Sequence, residues 1–304
     1  FNSIVLQNDS LEKSLPILSL YLVSLIRFIP SFTQLNSSIN SINFHSKAED
    51  IILKMLNSIK NEQKIDKGDK INKISFNTEK LELKIENISF AYSSKLEKNI
   101  INKLNLEIIN GDRICIYGES GVGKSTLIDL IMGLIKPLKG QIKFNNMDIN
   151  NYNESWSDLI GYVPQNVFVF DDSLIQNIYF KQDISATEKE QLDKVLNQVK
   201  LKAFVDNLPQ GINTKLGNMG FKLSGGQIQR IGIARVLIRK PKIIILDEST
   251  NSLDRNTESD ILSIFQESEY KNKIVISISH NKQIFNFFSK IFFLKDGNIF
   301  EEKI

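Results

Sequence analysis

A glycine-rich stretch between a short apolar run and a helical pattern constrains this chain more than any other feature. It reads Gly118-Glu119-Ser120-Gly121-Val122-Gly123-Lys124-Ser125-Thr126 and fits the pattern G-x-x-x-x-G-K-[ST]. Glycines let the backbone turn until successive N–H groups face one anion, and the helix that follows adds its positive dipole end. The pattern predicts a phosphate-binding loop before a helix from Ser125 to Leu134. Lys124 would reach the β- and γ-phosphates, and the Ser125 hydroxyl would bind Mg²⁺.

Composition and charge narrow the class of protein. The chain has 304 residues, 41% hydrophobic and 24% charged, which is ordinary for one large folded domain or two smaller ones. The formal net charge of +3 is too small to indicate a nucleic-acid partner. Because Cys115 is the only cysteine, it cannot form an intramolecular disulfide. We expect a buried structural thiol in a reducing compartment.

The N-terminal part carries an apolar segment followed by a more polar helical pattern. Leu15 to Pro30 alone is shorter than the roughly 18–20 apolar residues that span a bilayer, so its length fits a buried or amphipathic helix equally well. Ser31 to Ile59 keeps helical spacing but turns polar. We expect one long helix that leaves an apolar environment and enters water. The chain starts at Phe1 in mid-pattern without an initiator Met, and we expect it to be part of a longer protein.

After a Lys-, Asp-, Asn- and Gly-rich linker at residues 61–80, strand patterns alternate with helical ones, which predicts an α/β core. The run Ile243 to Leu246 is continuously apolar, as in a strand buried on both faces of a parallel sheet. Asp296-Gly297 predicts a hairpin turn between two strands. Helices are predicted from Thr187 to Leu201 and from Ser224, a good N-cap, to Arg239.

Further motifs surround the phosphate loop. The buried strand ends in Asp247 and Glu248, at the sheet edge where open α/β folds bind ligands. Gln165 and His280 each follow another predicted strand. Leu223-Ser224-Gly225-Gly226-Gln227 opens a helix, and Asp254 lies shortly after the acidic pair.

From Leu81 to Ile304 these motifs together resemble the nucleotide-binding domain of ATP-binding cassette (ABC) transporters, and the LSGGQ sequence is the most specific of them. The resemblance implies an α/β, P-loop NTPase core of ABC type. It also implies a helical signature subdomain and an antiparallel β edge, preceded by an all-α remnant of a transmembrane domain. The implied boundaries are 1–60 for the end of the transmembrane domain, 61–80 for the linker and 81–304 for the nucleotide-binding domain.

The resemblance also implies roles for individual residues. ATP would be bound by Gly118 to Thr126 and by Tyr92, which stands where the family stacks an aromatic ring on adenine; a half-buried strand aromatic is the alternative. Glu248 would polarise the attacking water, with Lys124, Gln165 and His280 completing the catalytic group. Ser125, Gln165 and Asp247 would hold Mg²⁺. Leu223 to Gln227 would act on ATP held by a second subunit, and Asp254 would lie at that interface.

Several segments resemble the exporter branch of the family. Thr214 to Gly220 is similar to T-x-x-G-E-x-G, with Asn218 in the glutamate position, and Asp171 to Ile178 is similar to D-[DG]-[TS]-[IL]-x-x-N-I. Leu25 to Ser31 resembles the L-x-R-x-x-P-S turn of bacterial half-transporters that flip lipid-linked oligosaccharides. Ser155-Trp156 is also similar to that subgroup, although Trp156 itself is expected to be a packing residue.

The resemblance thus implies ATP hydrolysis with Mg²⁺ that drives export or flipping of a lipid-linked or amphipathic substrate. The implied partners are a second nucleotide-binding domain, in a homodimer or heterodimer, and a transmembrane domain, with no nucleic acid. The implied location is the inner or plasma membrane, with the ATPase domain on the cytoplasmic side. Two alternatives remain: a soluble ATPase subunit docked through residues 15–59, and a chromosome-type ATPase, which the short gap between phosphate loop and LSGGQ disfavours.

Overall fold

The computed structural model describes residues 11–65, 81–92, 99–152, 155–217 and 220–302. The chain divides into two compact units, Phe1–Ile74 and Ser75–Ile304. Residues 66–80, which include most of the predicted linker, and Asn218 lie outside the described residues.

The first unit contains one long helix, α1 (Leu11–Ile65). It is longer at both ends than the predicted helix of residues 15–59 and includes the first residues of the predicted linker. The expected long helix continues through Pro30, so the turn implied by the resemblance of Leu25–Ser31 to flippases is not formed. The Ser31 and Thr33 hydroxyls donate to the carbonyl oxygens of Arg27 and Pro30.

The apolar side chains of α1 between Leu15 and Leu56 are exposed, with Leu22 at 57% and Phe28 at 66%. Over Leu15–Asn57 the helix is long and apolar enough to cross a membrane, and it is the one such helix among the described residues.

The second unit is built on a six-stranded sheet in the order β10-β9-β3-β8-β7-β6. Its strands are β3 (Arg113–Tyr117), β6 (Ile160–Val163), β7 (Ile243–Asp247), β8 (Ile274–Ile278), β9 (Lys290–Lys295) and β10 (Asn298–Glu302). Neighbouring strands are parallel except for β10, which forms the predicted hairpin with β9. Asp296 and Gly297 have φ of 47° and 77°, the left-handed values that a two-residue hairpin turn requires.

A second, antiparallel sheet has the order β2-β1-β4-β5. It contains β1 (Glu82–Phe90), β2 (Ile101–Ile109), β4 (Lys139–Phe144) and β5 (Met147–Asp148). The apolar alternation of β1 shifts by one residue after Ile85, as the sequence pattern shows, and the strand has an irregularity between Ile85 and Ile88. The apolar side chains before and after it are therefore buried in the same core. The expected α/β fold with an antiparallel edge is confirmed.

The described residues of this unit contain seven α-helices, joined by 3₁₀ turns such as Lys282–Phe287. The helices are α2 (Lys124–Ile131), α3 (Ser155–Leu159), α4 (Leu174–Tyr179), α5 (Ala186–Gln198), α6 (Lys202–Asp206), α7 (Gly225–Arg239) and α8 (Arg255–Ile264). One core lies between the two sheets and α2, and a second lies under α4 to α8. Trp156 is buried in the first core, as expected for a packing residue. Cys115 is fully buried, and burial raises the pKa of its thiol to about 12, so it is inert at neutral pH.

Candidate functional site

The predicted phosphate loop (Gly118–Thr126) leaves the end of β3 and enters α2 at Lys124. Two of its glycines are required by geometry. Gly123 has φ of 107°, and a Cβ there would lie 2.8 Å from Cγ2 of Ile100. A Cβ on Gly118 would lie 2.4 Å from the backbone oxygen of Leu294. Only glycine fits at these positions, so the loop is a backbone-lined cradle of the kind that binds phosphate.

Lys124 lies within this cradle. Its side chain is 7% exposed, and Nζ donates to the carbonyl oxygens of Gly118 and Glu119, each at 2.8 Å. Burial lowers the pKa of this lysine, and the nearby carboxylates of Glu248 and Asp247 oppose that shift. The neighbouring Ser125 is exposed at the start of α2. The loop therefore presents an ammonium group and a hydroxyl side by side.

Tyr92 lies next to the same helix start. It is 62% exposed, and its hydroxyl is 3.3 Å from Oγ1 of Thr126. Its ring meets Phe90 edge-on, with 5.1 Å between centroids. A largely exposed ring beside the phosphate loop fits the predicted stacking role better than the alternative of a half-buried packing aromatic.

The carboxyl end of β7 brings Asp247 to the loop. Its Oδ2 accepts a hydrogen bond of 3.0 Å from the Tyr162 hydroxyl on the neighbouring strand β6. Burial raises the pKa of Asp247, while the Tyr162 hydrogen bond lowers it. Burial and the Asp247 charge raise the pKa of Tyr162, so this hydroxyl stays protonated and acts as a donor.

Three separate loops meet at Glu248. Its Oε2 accepts from Nε2 of Gln165 at 2.9 Å and from Nδ2 of Asn251 at 3.1 Å, and its Oε1 lies 2.9 Å from Nε2 of His280. Glu248 has φ of 48°, an uncommon value for a residue with a side chain and one that recurs at functional sites. The predicted catalytic residues Gln165, Glu248 and His280 are thus brought together.

The signature loop (Leu223–Gln227) opens α7 with a reciprocal cap. Ser224 Oγ accepts from the Gln227 backbone at 3.3 Å, and Gln227 Oε1 accepts from the Ser224 backbone at 2.8 Å. A Cβ on Gly226 would lie 3.3 Å from the carbonyl oxygen of Ser252, so the signature loop packs on the segment after Glu248.

Asp254 caps α8 by accepting from the Thr257 backbone at 3.0 Å. Hydrogen bonds from Thr257 lower the pKa of Asp254. The backbone bond keeps Asp254 at the end of the segment that carries Glu248 and Asn251.

The donor set suits Mg²⁺ bound together with phosphate. Asp247, Ser125 and Gln165 offer the hard oxygen ligands that Mg²⁺ prefers. Within the described residues, no group of three or more His, Cys, Asp or Glu side chains could hold a metal ion alone.

Sequence patterns did not reveal several residues of this site. Tyr162 and Asn251 contact the acidic pair directly, while Gln229 and Glu258 lie buried behind it. Tyr162 stands on a predicted strand just before Gln165, and this position could have indicated that Tyr162 lies near the site. Asn251 lies only three positions after Glu248, whereas Gln229 and Glu258 depend on contacts with loops that are farther away in sequence.

Comparisons with known proteins agree on one family. A family model described as "ABC transporter" matches residues 101–251. The chain is 41% identical over 202 residues to a Rickettsia bellii protein whose name describes an export ATP-binding/permease protein; the match covers 66% of this chain and 34% of that protein. It is 38% identical over 221 residues to the microcin-J25 export ATP-binding/permease protein McjD of Escherichia coli, covering 72% of this chain and 37% of that protein.

A solved structure of a bacterial Atm1-family ABC exporter with ATP bound has the same fold. The TM-score is 0.66 and the identity 32%, over 73% of this chain and 38% of that one. The chain spans about a third of the length of the curated Rickettsia relatives that it matches.

Proposed function

Because this chain belongs to the ABC transporter family and carries its ATPase domain, we propose that it binds ATP with Mg²⁺ and hydrolyses it to drive export across a membrane. The observation that carries the proposal is the meeting of Gln165, Glu248 and His280 beside the phosphate loop. These residues come from different strand ends and share one carboxylate. If Glu248 and His280 only stabilised the fold as an ion pair, there would be no reason for Gln165 to join them beside a phosphate-binding loop.

Each residue would act on a different part of the reaction. Lys124 and the backbone of residues 118–125 would hold the phosphates, and Tyr92 would stack on adenine. Ser125, Asp247 and Gln165 would hold Mg²⁺, which when bound supplies positive charge that offsets the charge on the phosphates. Glu248 would orient a water for in-line attack and receive its proton, while His280 would fix the position of that carboxylate.

We infer that the active form contains two such domains. The signature loop of one chain would close over the ATP held by the other, with Asp254 at the interface. Closure on ATP and opening after hydrolysis would move a transmembrane domain, because ATP binds the closed form better than the open one. The exposed apolar helix α1 supports attachment of this chain to a membrane. The family resemblance implies that the ATPase lies on the cytoplasmic side.

The test is Glu248→Gln in the complete membrane protein, reconstituted in lipid nanodiscs. The amide keeps the size of the side chain but cannot accept the proton, so we expect kcat to fall by at least about a hundredfold. ATP should remain bound after gel filtration in the presence of Mg²⁺. Glu190→Gln, an exposed carboxylate on α5, is the matched control and should keep the parent rate. Parent-like turnover of Glu248→Gln would refute the proposed role.

For the transported substrate we propose a lipid-linked or otherwise amphipathic molecule. The support is the similarity of Leu25–Ser31 and Ser155-Trp156 to lipid-linked oligosaccharide flippases, although the turn expected at Pro30 is helical. Lipid-linked oligosaccharides added to the nanodiscs should stimulate ATPase activity, and a soluble oligosaccharide of the same sequence should not. Equal stimulation by both would contradict the lipid requirement.

A further inference from the structure

We propose that Glu258 is a positioning residue that holds His280 in register with the segment following Glu248; this inference rests on the ATPase function proposed above. Glu258 lies in the first turn of α8 and is 6% exposed. Its Oε1 accepts a hydrogen bond of 2.7 Å from Oγ1 of Thr250, and its Oε2 accepts one of 3.1 Å from Nδ2 of Asn281. One buried carboxylate therefore bonds to two loops at once.

We call these loops the D-loop (residues 249–254) and the switch loop (residues 279–281). Thr250 stands two positions after Glu248, and Asn281 directly follows His280. The side chain of Glu258 thus bonds both to the segment that follows Glu248 and to the segment that follows His280. It touches neither member of that pair itself.

The orientation of Asn281 is fixed by its other bonds. Its Oδ1 accepts from the Gln283 backbone at 3.0 Å, and its own backbone N–H donates to Oγ of Ser279 at 3.0 Å. With Oδ1 used in this way, the amide nitrogen is the atom that faces Glu258. The switch loop is therefore held by a network rather than by a single contact.

Stability alone does not account for a carboxylate at this position. The buried face of α8 is otherwise apolar, with Ile261, Leu262 and Ile264 in the second core. Both donors to Glu258 are neutral groups, which compensate the burial of a carboxylate less well than a cation does. An apolar residue would pack there at lower cost, but it could not bond to both loops.

The other side of the D-loop is held in a comparable way. Gln229 on α7 is 5% exposed; its Oε1 accepts from the Ser252 backbone at 3.3 Å, and its Nε2 donates to the carbonyl oxygen of Gln165 at 3.2 Å. The D-loop thus lies between Gln165 and His280, with Gln229 on one side and Glu258 on the other. A displacement of the D-loop by a second copy of the domain would reach His280 through Glu258.

The experiment uses the complete protein and compares Glu258→Ala with Glu258→Gln. Alanine removes both bonds, so we expect kcat to fall by about tenfold or more with a change of less than about twofold in KM for ATP, because the phosphate loop is untouched. Glutamine can donate to Thr250 and accept from Asn281, so its kcat should stay within about threefold of the parent value. Leu262→Ala, on the same helix and 2% exposed, should lower the Tm and leave kcat unchanged.

A second readout requires neither nucleotide nor turnover. Backbone hydrogen exchange in both loops should be faster in Glu258→Ala than in the parent or in Glu258→Gln, while β3 and β7 should be unchanged. If Glu258→Ala does not fold, Thr250→Val and Thr250→Ser decide the question, because valine lacks the donor hydroxyl and serine keeps it. Valine should then lower kcat more than serine.

Parent-like kcat and exchange in Glu258→Ala, or in Thr250→Val, would overturn the inference. Loss of kcat in Glu258→Gln equal to that in Glu258→Ala would also overturn it, because the bonds would then not be what matters. If the parent protein does not hydrolyse ATP, the proposed function fails. The exchange measurement still decides whether Glu258 holds the two loops.

Discussion

Nε2 of His280 lies 2.9 Å from Oε1 of Glu248, although the two residues belong to loops after different strands. They meet because β7 and β8 are adjacent and parallel, so that their carboxyl ends reach the same edge of the sheet. The Glu248 backbone N–H donates to the carbonyl of Ile278 at 3.1 Å, which extends this register beyond the end of β7. The pair is thus fixed by sheet pairing as well as by its own contact.

The first prediction is that His280→Ala lowers kcat by at least about a hundredfold while KM for ATP changes by less than about threefold. The physical reason is that Glu248 loses the partner that fixes its Oε1, while Lys124 and the phosphate loop are unchanged. Steady-state ATPase assays at varied ATP concentration would measure both constants.

The chain offers a matched control, because it has two histidines and the other, His45, lies exposed on α1. His45→Ala should keep the parent kcat and KM. An equal loss in both histidine variants, or none in His280→Ala, would show that the 2.9 Å contact has no part in turnover.

The second prediction concerns stability and pH. Lys273 is partly buried; its Nζ donates to the Pro241 carbonyl and lies 5.8 Å from the centroid of the Tyr270 ring. Burial, together with the charge of Lys242, lowers the pKa of Lys273 to about 8 from the model-peptide value of 10.5. Between about pH 8 and pH 10.5, Lys273 is protonated in the unfolded chain but largely neutral in the folded protein. The free energy of unfolding therefore rises with pH over this range.

We therefore expect the free energy of unfolding of the parent to rise relative to that of Lys273→Met by on the order of 1–3 kcal/mol from pH 7 to pH 10. Urea unfolding of both proteins at several pH values would measure this difference, in which the titrations common to both proteins cancel. A difference that stays constant across the range would show that Lys273 titrates normally in the folded protein.

Local sequence patterns predicted much of the fold. The apolar run at Ile243–Leu246 predicted the buried parallel strand β7, and Asp296-Gly297 predicted the β9–β10 turn, because both features depend on few neighbouring residues. The family resemblance also named residues that the structure brings together, such as Gln165, Glu248 and His280. Their chemical roles remain predictions.

What the patterns missed depends on contacts across long stretches of chain. Tyr162 and Asp247 are 85 positions apart in sequence and meet because β6 pairs with β7. No sequence pattern singled out Glu258, since its burial is decided by the loops packed over it. The turn that the resemblance of Leu25–Ser31 to flippases implied is absent, because the helical pattern that predicted one long helix continues through Pro30.

The last prediction separates two roles of Ser224. In the structure it caps α7 with Gln227, and Ser185 caps α5 with Glu188 through the same reciprocal pair of hydrogen bonds. Ser224→Ala and Ser185→Ala should each cost about 1 kcal/mol of stability, because each removes one cap. Of the two, only Ser224→Ala should lower ATPase activity, since only the signature loop is proposed to meet ATP.

Aspartate at the two positions sharpens this test. It caps a helix as well as serine does, so both Ser224→Asp and Ser185→Asp should keep near-parent thermal stability. At Ser224, however, the added carboxylate would face the phosphates of ATP held by the second copy, and repulsion between like charges should abolish hydrolysis. Ser185→Asp should hydrolyse ATP at the parent rate. If Ser224→Asp also did so, the start of α7 would be a helix cap alone, and the proposed closure of the signature loop over ATP would have to be abandoned.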